Sequence, residues 1–223
     1  LAFAAAGAEV ILVSRTAADL EAVAEEITSA GGRARVAPGD VTRPADVARI
    51  FGALDQCDVL VNGAGGNRPM PFLDVDLATL DLLIDLNVRA AFLCAQAAAR
   101  LMVARGCGSI VNMSSQMGHV GDVNRSVYCM TKHALEGLTR ALAVELAPRG
   151  VRVNSVAPTY VLTPLTEPFF QDPVFKARVL SRIPIGRLGR IEEVTAAVVF
   201  LASPAASLIT GTSLLVDGGY TAQ

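Results

Sequence analysis

The 223-residue sequence predicts one α/β domain, a Rossmann-like doubly wound parallel sheet with helices on both faces. Three observations carry that expectation. Short Val/Ile/Leu-rich runs alternate with longer stretches of helical periodicity, the pattern of crossover units. The apolar runs are continuous, as strands covered on both faces must be. Finally, 52% hydrophobic residues against 18% charged supply one substantial core, with no apolar run approaching membrane length.

The elements follow in order. Residues 1–6, closed by Gly7, read as the last turns of a helix, and Val10–Val13 ("VILV") as a buried strand. "TAADLEAVAEEITSAGG" is an amphipathic helix with Thr16 as N-cap and Gly31-Gly32 as its stop. "ARVAPGD" is a short strand, and "RPADVARIFGAL" a helix with Pro44 in its first turn. "CDVLVNGAG" (57–65) is a strand entering a Gly-rich bend, and residues 76–104 hold two helical patterns. "GSIVNMSS" (108–115) is the fourth strand, 126–147 a long helix and "VRVNSVAP" (151–158) the fifth strand. An irregular or helical excursion spans 160–182, within which Pro164–Pro173 has a loop's composition and a lid's length. A helix over 191–203 and the strand "SLLVDGG" (213–219) complete the chain, with no internal repeat or linker.

Charge and cysteines narrow the function. A net charge of −2 leaves no electrostatic footprint for nucleic acid or an anionic membrane surface. The apolar start lacks the positive flank of a signal peptide. Cysteines 57, 94, 107 and 129 form no C-x-x-C pair and no metal-ligand spacing, which points to a reduced, cytoplasmic protein without a metal site.

The chemistry-bearing residues sit in the second half. Tyr128 and Lys132 in "YCMTK" are four apart on a predicted helix, so they emerge on one face. A phenol is too weak an acid for neutral-pH proton transfer, and a nearby ammonium lowers its pKa. Thirteen residues upstream, Ser115 ends a strand, where ligands of parallel α/β sheets bind. A hydroxyl there can hold a substrate oxygen while Tyr128 gives or takes the proton. Alone, the Tyr/Lys pair reads as a solvated helix face and proves little.

The ordered set "DVT" (40–42), "VNGAG" (61–65), "LNV" (86–88), "IVNMSS" (110–115), "YCMTK" (128–132), "VRVNSVAP" (151–158), "GRLG" (186–189) and "GTSLLVDGG" (211–219) resembles the short-chain dehydrogenase/reductase superfamily from residue 1 to about 220. The resemblance implies an NAD(P)-dependent oxidoreductase with a catalytic group of Asn87, Ser115, Tyr128 and Lys132. In it Tyr128 is the general acid or base, Ser115 orients the substrate oxygen, and Lys132 binds the nicotinamide ribose and tunes Tyr128. Asn87 would hold a relay water; its plain reading is a packing Asn bonded to backbone. Ser114 competes with Ser115, which the spacing to Tyr128 favours.

For the cofactor, the resemblance places Ser14 where an acid would select NAD, followed by Arg15, which suits a 2′-phosphate; NADP is expected, with NAD the alternative. A solvated Arg15 at a helix start is the plain reading. Asp40 and Val41 would flank the adenine, Asn62, Gly63, Ala64 and Gly65 would pass under the cofactor, and Pro158, Val161 and Thr163 would approach the carboxamide. Two departures stand out: Asn62-Gly63 where the family more often has two asparagines, and Pro158-Thr159 where it has Pro-Gly.

Substrate contacts are expected from segments 66–72, 116–125 and 160–182, with Gln116, His119, Arg125 and Tyr160 as candidates beside Arg68. The second half looks like sugar or sugar-acid dehydrogenases and 3-oxoacyl reductases. By resemblance, helices 90–104 and 126–147 would build a homodimer and the last strand a homotetramer. The resemblance also places a strand and a T-G-x-x-x-G-x-G turn ahead of Leu1, so an earlier biological start is expected. Two competing functions are a non-catalytic regulatory or binding protein and an inactive truncated fragment.

Overall fold

A computed structural model describes residues 1–163 and 166–223. Six parallel strands are joined by crossover helices: β1 (Glu9–Leu12), β2 (Arg33–Val36), β3 (Val59–Asn62), β4 (Gly108–Met113), β5 (Val151–Pro158) and β6 (Ser213–Val216). The parallel pairing is the one the apolar runs predict. Among the described residues it forms two sets, β1–β2 and β3–β4–β5–β6.

The helices are α1 (Ala2–Ala5), α2 (Ala17–Ser29), α3 (Pro44–Gly52), α4 (Leu77–Ile84), α5 (Ala90–Arg105), α6 (Ser126–Leu146), α7 (Pro173–Leu180) and α8 (Ile191–Ala202). Strand alternation sorts the core into two layers. On one face Ile110, Val151 and Val153 pack under Ala95, Ala98 and Met102 of α5 and Ala143 of α6. On the other, Val111 and Val156 pack under Val194, Val198 and Leu201 of α8, with Phe3 of α1 against them. Small residues on α5 let that helix lie close to the sheet.

Gly106 and Gly150 stop the two elements that enter β4 and β5. Both are left-handed, at φ 71° and 79°, and a Cβ on Gly150 would overlap the Gly106 carbonyl. No L side chain fits that crossing without moving the backbone.

Three expectations need correction. Thr16 occupies the N-cap of α2, yet its side chain caps nothing; the Thr16 amide donates to Ser14 Oγ at 3.3 Å. The two helical patterns of 76–104 are joined without a break by a π-helical turn, Asp85–Arg89. No Gly or Pro lies between Ile84 and Ala90 to end the first helix, so the chain absorbs the change of phase as an extra residue per turn. The final strand stops at Val216, because Gly218 and Gly219 turn left-handed. Within 160–182 the chain forms a 3-10 turn (Glu167–Gln171) and α7. Pro164 and Leu165, the start of the expected lid, lie outside the described residues.

Candidate active site

The site is built where β4 and β5 end and α6 begins. Strand β4 delivers Ser114 and Ser115, and α6 carries Tyr128 and Lys132 on one face, one turn apart. Lys132 is 5% exposed; its Nζ donates to the Met113 carbonyl at 2.7 Å and lies 5.6 Å from the Tyr128 ring centre. Burial pushes the Lys132 pKa down to about 8, against the upward pull of the Glu136 carboxylate. Glu136, one turn further along α6, accepts from the Ser155 and Ser213 hydroxyls and lies 3.5 Å from His119 Nε2.

Tyr128 differs from the expectation. Burial raises its pKa above the usual phenol range, opposed by a hydrogen bond with Ser115 and by the Arg125 charge. The lysine gives one of its three protons to the Met113 carbonyl, and the Arg125 charge also acts on the phenol. The hydroxyl is therefore held protonated, ready to donate.

Asn87, in the π-turn, is fully buried, with both of its amide donors engaged. Its Oδ1 accepts from the Gly66 amide at 2.8 Å, and its Nδ2 donates to the Gly66 carbonyl at 2.9 Å and to Thr131 Oγ1 at 3.0 Å. Thr131 Oγ1 in turn donates to the Tyr128 carbonyl at 2.8 Å. Asn87 thus ties the Gly-rich bend after β3 to the catalytic helix. That is the packing reading of this residue, made specific by the π-turn that aims it inward.

The glycine bend leaves a cradle. A Cβ on Gly65 would stand 3.4 Å from Asn87 Oδ1 and 3.6 Å from Lys132 Nζ, filling the space in front of both. Gly63 faces open space, and Ala64 between them is exposed. The Asn62 side chain is committed elsewhere: Nδ2 donates to Asn112 Oδ1 at 2.9 Å, and Asn112 Nδ2 donates to Thr139 Oγ1 at 2.9 Å. This buried ladder from β3 through β4 to α6 was missed in the sequence because Asn in a strand carries no signal for its partner.

Beside the ends of β1 and β2, Arg15, Gly39, Asp40 and Arg43 line a cleft of about 360 Å³. Asp40 accepts from the Thr42 hydroxyl and amide, which hold its carboxyl below the usual range with help from Arg15 and Arg43. Arg49 is spent on Asp46 and the Pro38 carbonyl, leaving Arg15 and Arg43 to the cleft. Ser14 accepts the Gly39 amide through its carbonyl, and Val41 is half-buried beside Asp40.

The substrate candidates divide. Gln116 is buried and accepts from Ser115 Oγ at 3.3 Å. Tyr160 stacks edge-on against Phe170 and Phe175, and its hydroxyl donates to Asp122 Oδ2 at 3.4 Å. Arg125, at the N-cap of α6, places its charge where it acts on both Tyr160 and Tyr128. His119 is placed apart, with Nε2 at 2.8 Å from Ser213 Oγ in the Glu136 network. Arg68 is on the bend's outer side, its charge acting on Asp76. Pro158 ends β5, Val161 forms a bridge with Gly189, and Thr163 bonds Thr166. Among the described residues, the buried side-chain atoms without partners are Ser114 Oγ just after β4, Thr159 Oγ1 just after β5 and Arg125 Nη1 at the N-cap of α6. Orphaned polar atoms of this kind are what a ligand site leaves behind. A larger concavity of about 710 Å³ opens at the opposite end of the sheet, beside Asp58, Gly150 and Leu208, and carries no such constellation. Among the described residues no group of His, Cys, Asp and Glu is placed to hold a metal, and no helix is long and apolar enough to cross a membrane.

A buried phenol, serine and lysine at the carboxyl ends of a parallel sheet, beside a glycine cradle, define an α/β oxidoreductase site. A family profile described as Enoyl-(Acyl carrier protein) reductase matches residues 1–221. The chain is 44% identical over 225 residues to galactitol 2-dehydrogenase (L-tagatose-forming) of Cereibacter sphaeroides, covering 99% of this chain and 88% of that protein. It is 41% identical over 225 residues to L-xylulose reductase of Bos taurus, covering 98% and 88%. A gluconate 5-dehydrogenase structure from Burkholderia cenocepacia, in complex with NADP and tartrate, superposes with a TM-score of 0.93 at 32% identity, covering 99% of this chain and 88% of the other. The chain belongs to the short-chain dehydrogenase/reductase superfamily. It is an NAD(P)-dependent oxidoreductase of alcohol and ketone groups.

Proposed function

We propose that this protein is an NADP(H)-linked dehydrogenase/reductase of polyhydroxylated substrates, a sugar, polyol or sugar acid. One observation carries it: Tyr128, Ser115 and Lys132 converge at the ends of β4 and β5 in front of the Gly63–Gly65 cradle. The dinucleotide, when bound, supplies or accepts the hydride. Arg15 and Arg43 would hold a 2′-phosphate, and Ser14, Asp40 and Val41 the adenosine. The backbone of Asn62, Gly63, Ala64 and Gly65 would hold the dinucleotide, Pro158, Val161 and Thr163 its carboxamide, and Lys132, beside Gly65, its ribose hydroxyls.

In reduction the Tyr128 hydroxyl, kept protonated by burial, donates its proton to the carbonyl oxygen. In oxidation the phenolate takes that proton back, and the Ser115 hydrogen bond and Arg125 charge favour it. Ser115 donates to the same substrate oxygen and stabilises its developing charge. In the free protein that proton is given to Gln116 Oε1 at 3.3 Å, so it turns from Gln116 to the substrate oxygen when substrate is bound. Asn87 positions both the cradle and α6 through Gly66 and Thr131. Exposed Phe92 on α5 and Val144 on α6 suit a homodimer, and Leu215 on β6 its pairing into a tetramer.

The experiment is a titration with NADP(H), followed by reduced-cofactor absorbance against alditols, ketoses and aldonates. Micromolar binding with turnover of at least one class is expected. Binding without turnover would leave a regulatory protein, and neither would leave an inactive fragment.

A further inference from the structure

Arg125 carries more than a rim charge. The residue before it, Asn124, is the non-glycine with positive φ (58°) among the described residues, and its carbonyl accepts from the Met70 amide at 3.1 Å. Asn tolerates that left-handed geometry best among residues with a Cβ, and it turns the chain so that Arg125 enters α6 facing the site. Its charge acts on the Tyr160 hydroxyl, and its Nη1 is buried with no partner among the described residues.

The obvious counter-ion is already engaged. Asp122, three residues upstream, accepts from Arg182 Nη1 at 3.2 Å and from the Tyr160 hydroxyl. Arg182 is itself stacked on Tyr220, 4.6 Å from its ring centre, so this pair is fixed. A second cation, Arg178, sits over Phe175 and acts on Tyr160 from the other side. Arg125 and Arg178 thus act on Tyr160 while Asp122 is already paired with Arg182. A buried unpaired N–H is costly, and a planar guanidinium recovers that cost best from a carboxylate.

We infer that Arg125 is a specificity-determining residue that binds a carboxylate of the substrate. This rests on the oxidoreductase reading and sharpens it from polyhydroxylated compounds to hydroxy acids. Arg125 stands three residues, about one turn of roughly 5 Å, from Tyr128, whose hydroxyl meets the reacting oxygen. The carboxylate thus lies a few bonds from the reacting carbon, as in an aldonate or keto-aldonate.

The test compares pairs matched in chain length and differing in the carboxylate, D-gluconate with D-glucitol and D-xylonate with xylitol, in the NADP complex. Because Arg125 also acts on the Tyr128 hydroxyl, its loss slows every substrate, so the informative quantity is the acid-to-neutral ratio of kcat/KM. Wild type favours the acids, and Arg125→Gln lowers the ratio by about 10- to 100-fold, the range for one charge-assisted hydrogen bond. Arg125→Lys, which keeps the charge without the fork, falls between. An unchanged ratio in Arg125→Gln, or wild-type preference for the alditols, overturns the inference while leaving the oxidoreductase standing. If no pair turns over, thermal shifts decide: gluconate must stabilise the wild-type complex more than glucitol, and that excess must vanish in Arg125→Gln. Equal shifts, or none with either carboxylate, overturn it.

Discussion

The buried lysine gives a stability prediction worked from its surroundings. Lys132→Met keeps most of the stem volume and removes the ammonium. In the folded protein the Lys132 pKa is about 8 against an ordinary 10.5, because burial outweighs Glu136. Between those values the unfolded chain binds more protons than the native one, so wild-type stability rises with pH through that window and is level below it. The full span corresponds to about 3 kcal/mol. At pH 7 the lost hydrogen bond to Met113, worth about 1.5–3 kcal/mol for a charged donor, offsets much of the gain from removing the charge. The variant is then as stable as wild type or slightly more so. Raising the pH from about 7 to about 10.5 should let wild type gain about 3 kcal/mol on the variant. Urea unfolding of both proteins without cofactor, at a series of pH values and with equal m-values, reads this directly. A pH-independent difference would mean that the ammonium is not held in a desolvated site. A difference of opposite sign would mean that its pairing with Glu136 dominates.

Two further outcomes follow from the same geometry. Arg15→Ala should weaken NADPH by about tenfold or more and NADH far less, since a charge-assisted contact to the 2′-phosphate is lost; equal losses by fluorescence titration would remove Arg15 from that role. Glu136→Gln removes the charge that raises the Lys132 pKa, so the alkaline limb of NADP(H) affinity should move to lower pH, starting from about 8. An unmoved limb would show that Glu136 serves only Ser155 and Ser213.

Much of this was legible from residue order. The buried strands, the helix over 126–147 and the convergence of Ser115 with Tyr128 and Lys132 follow from period, strand ends and the i, i+4 rule. The less legible features depend on tertiary burial. The π-turn that aims Asn87 inward has no punctuating residue, so nothing in 76–104 announces it. The Tyr128 pKa is set by desolvation and by Arg125, three residues upstream, where spacing alone had pointed to Lys132. His119, read as a substrate contact from its loop, reaches Ser213 and Glu136 across the strand ends instead, a pairing separated by 94 residues in one case. Asn62 and Asn112 likewise find each other only because β3 and β4 pair in register.

The most direct measurement of the central claim is the split between chemistry and binding in Tyr128→Phe. The ring stays, with its packing, and only the proton carrier is removed. Turnover should fall by about three orders of magnitude or more, within the 10²–10⁴-fold range of positioned acid–base groups, while the dissociation constant for NADP(H) changes less than about threefold. Turnover within a few-fold of wild type would show that the proton moves by another route and that the Tyr128–Ser115–Lys132 site is not the reaction centre.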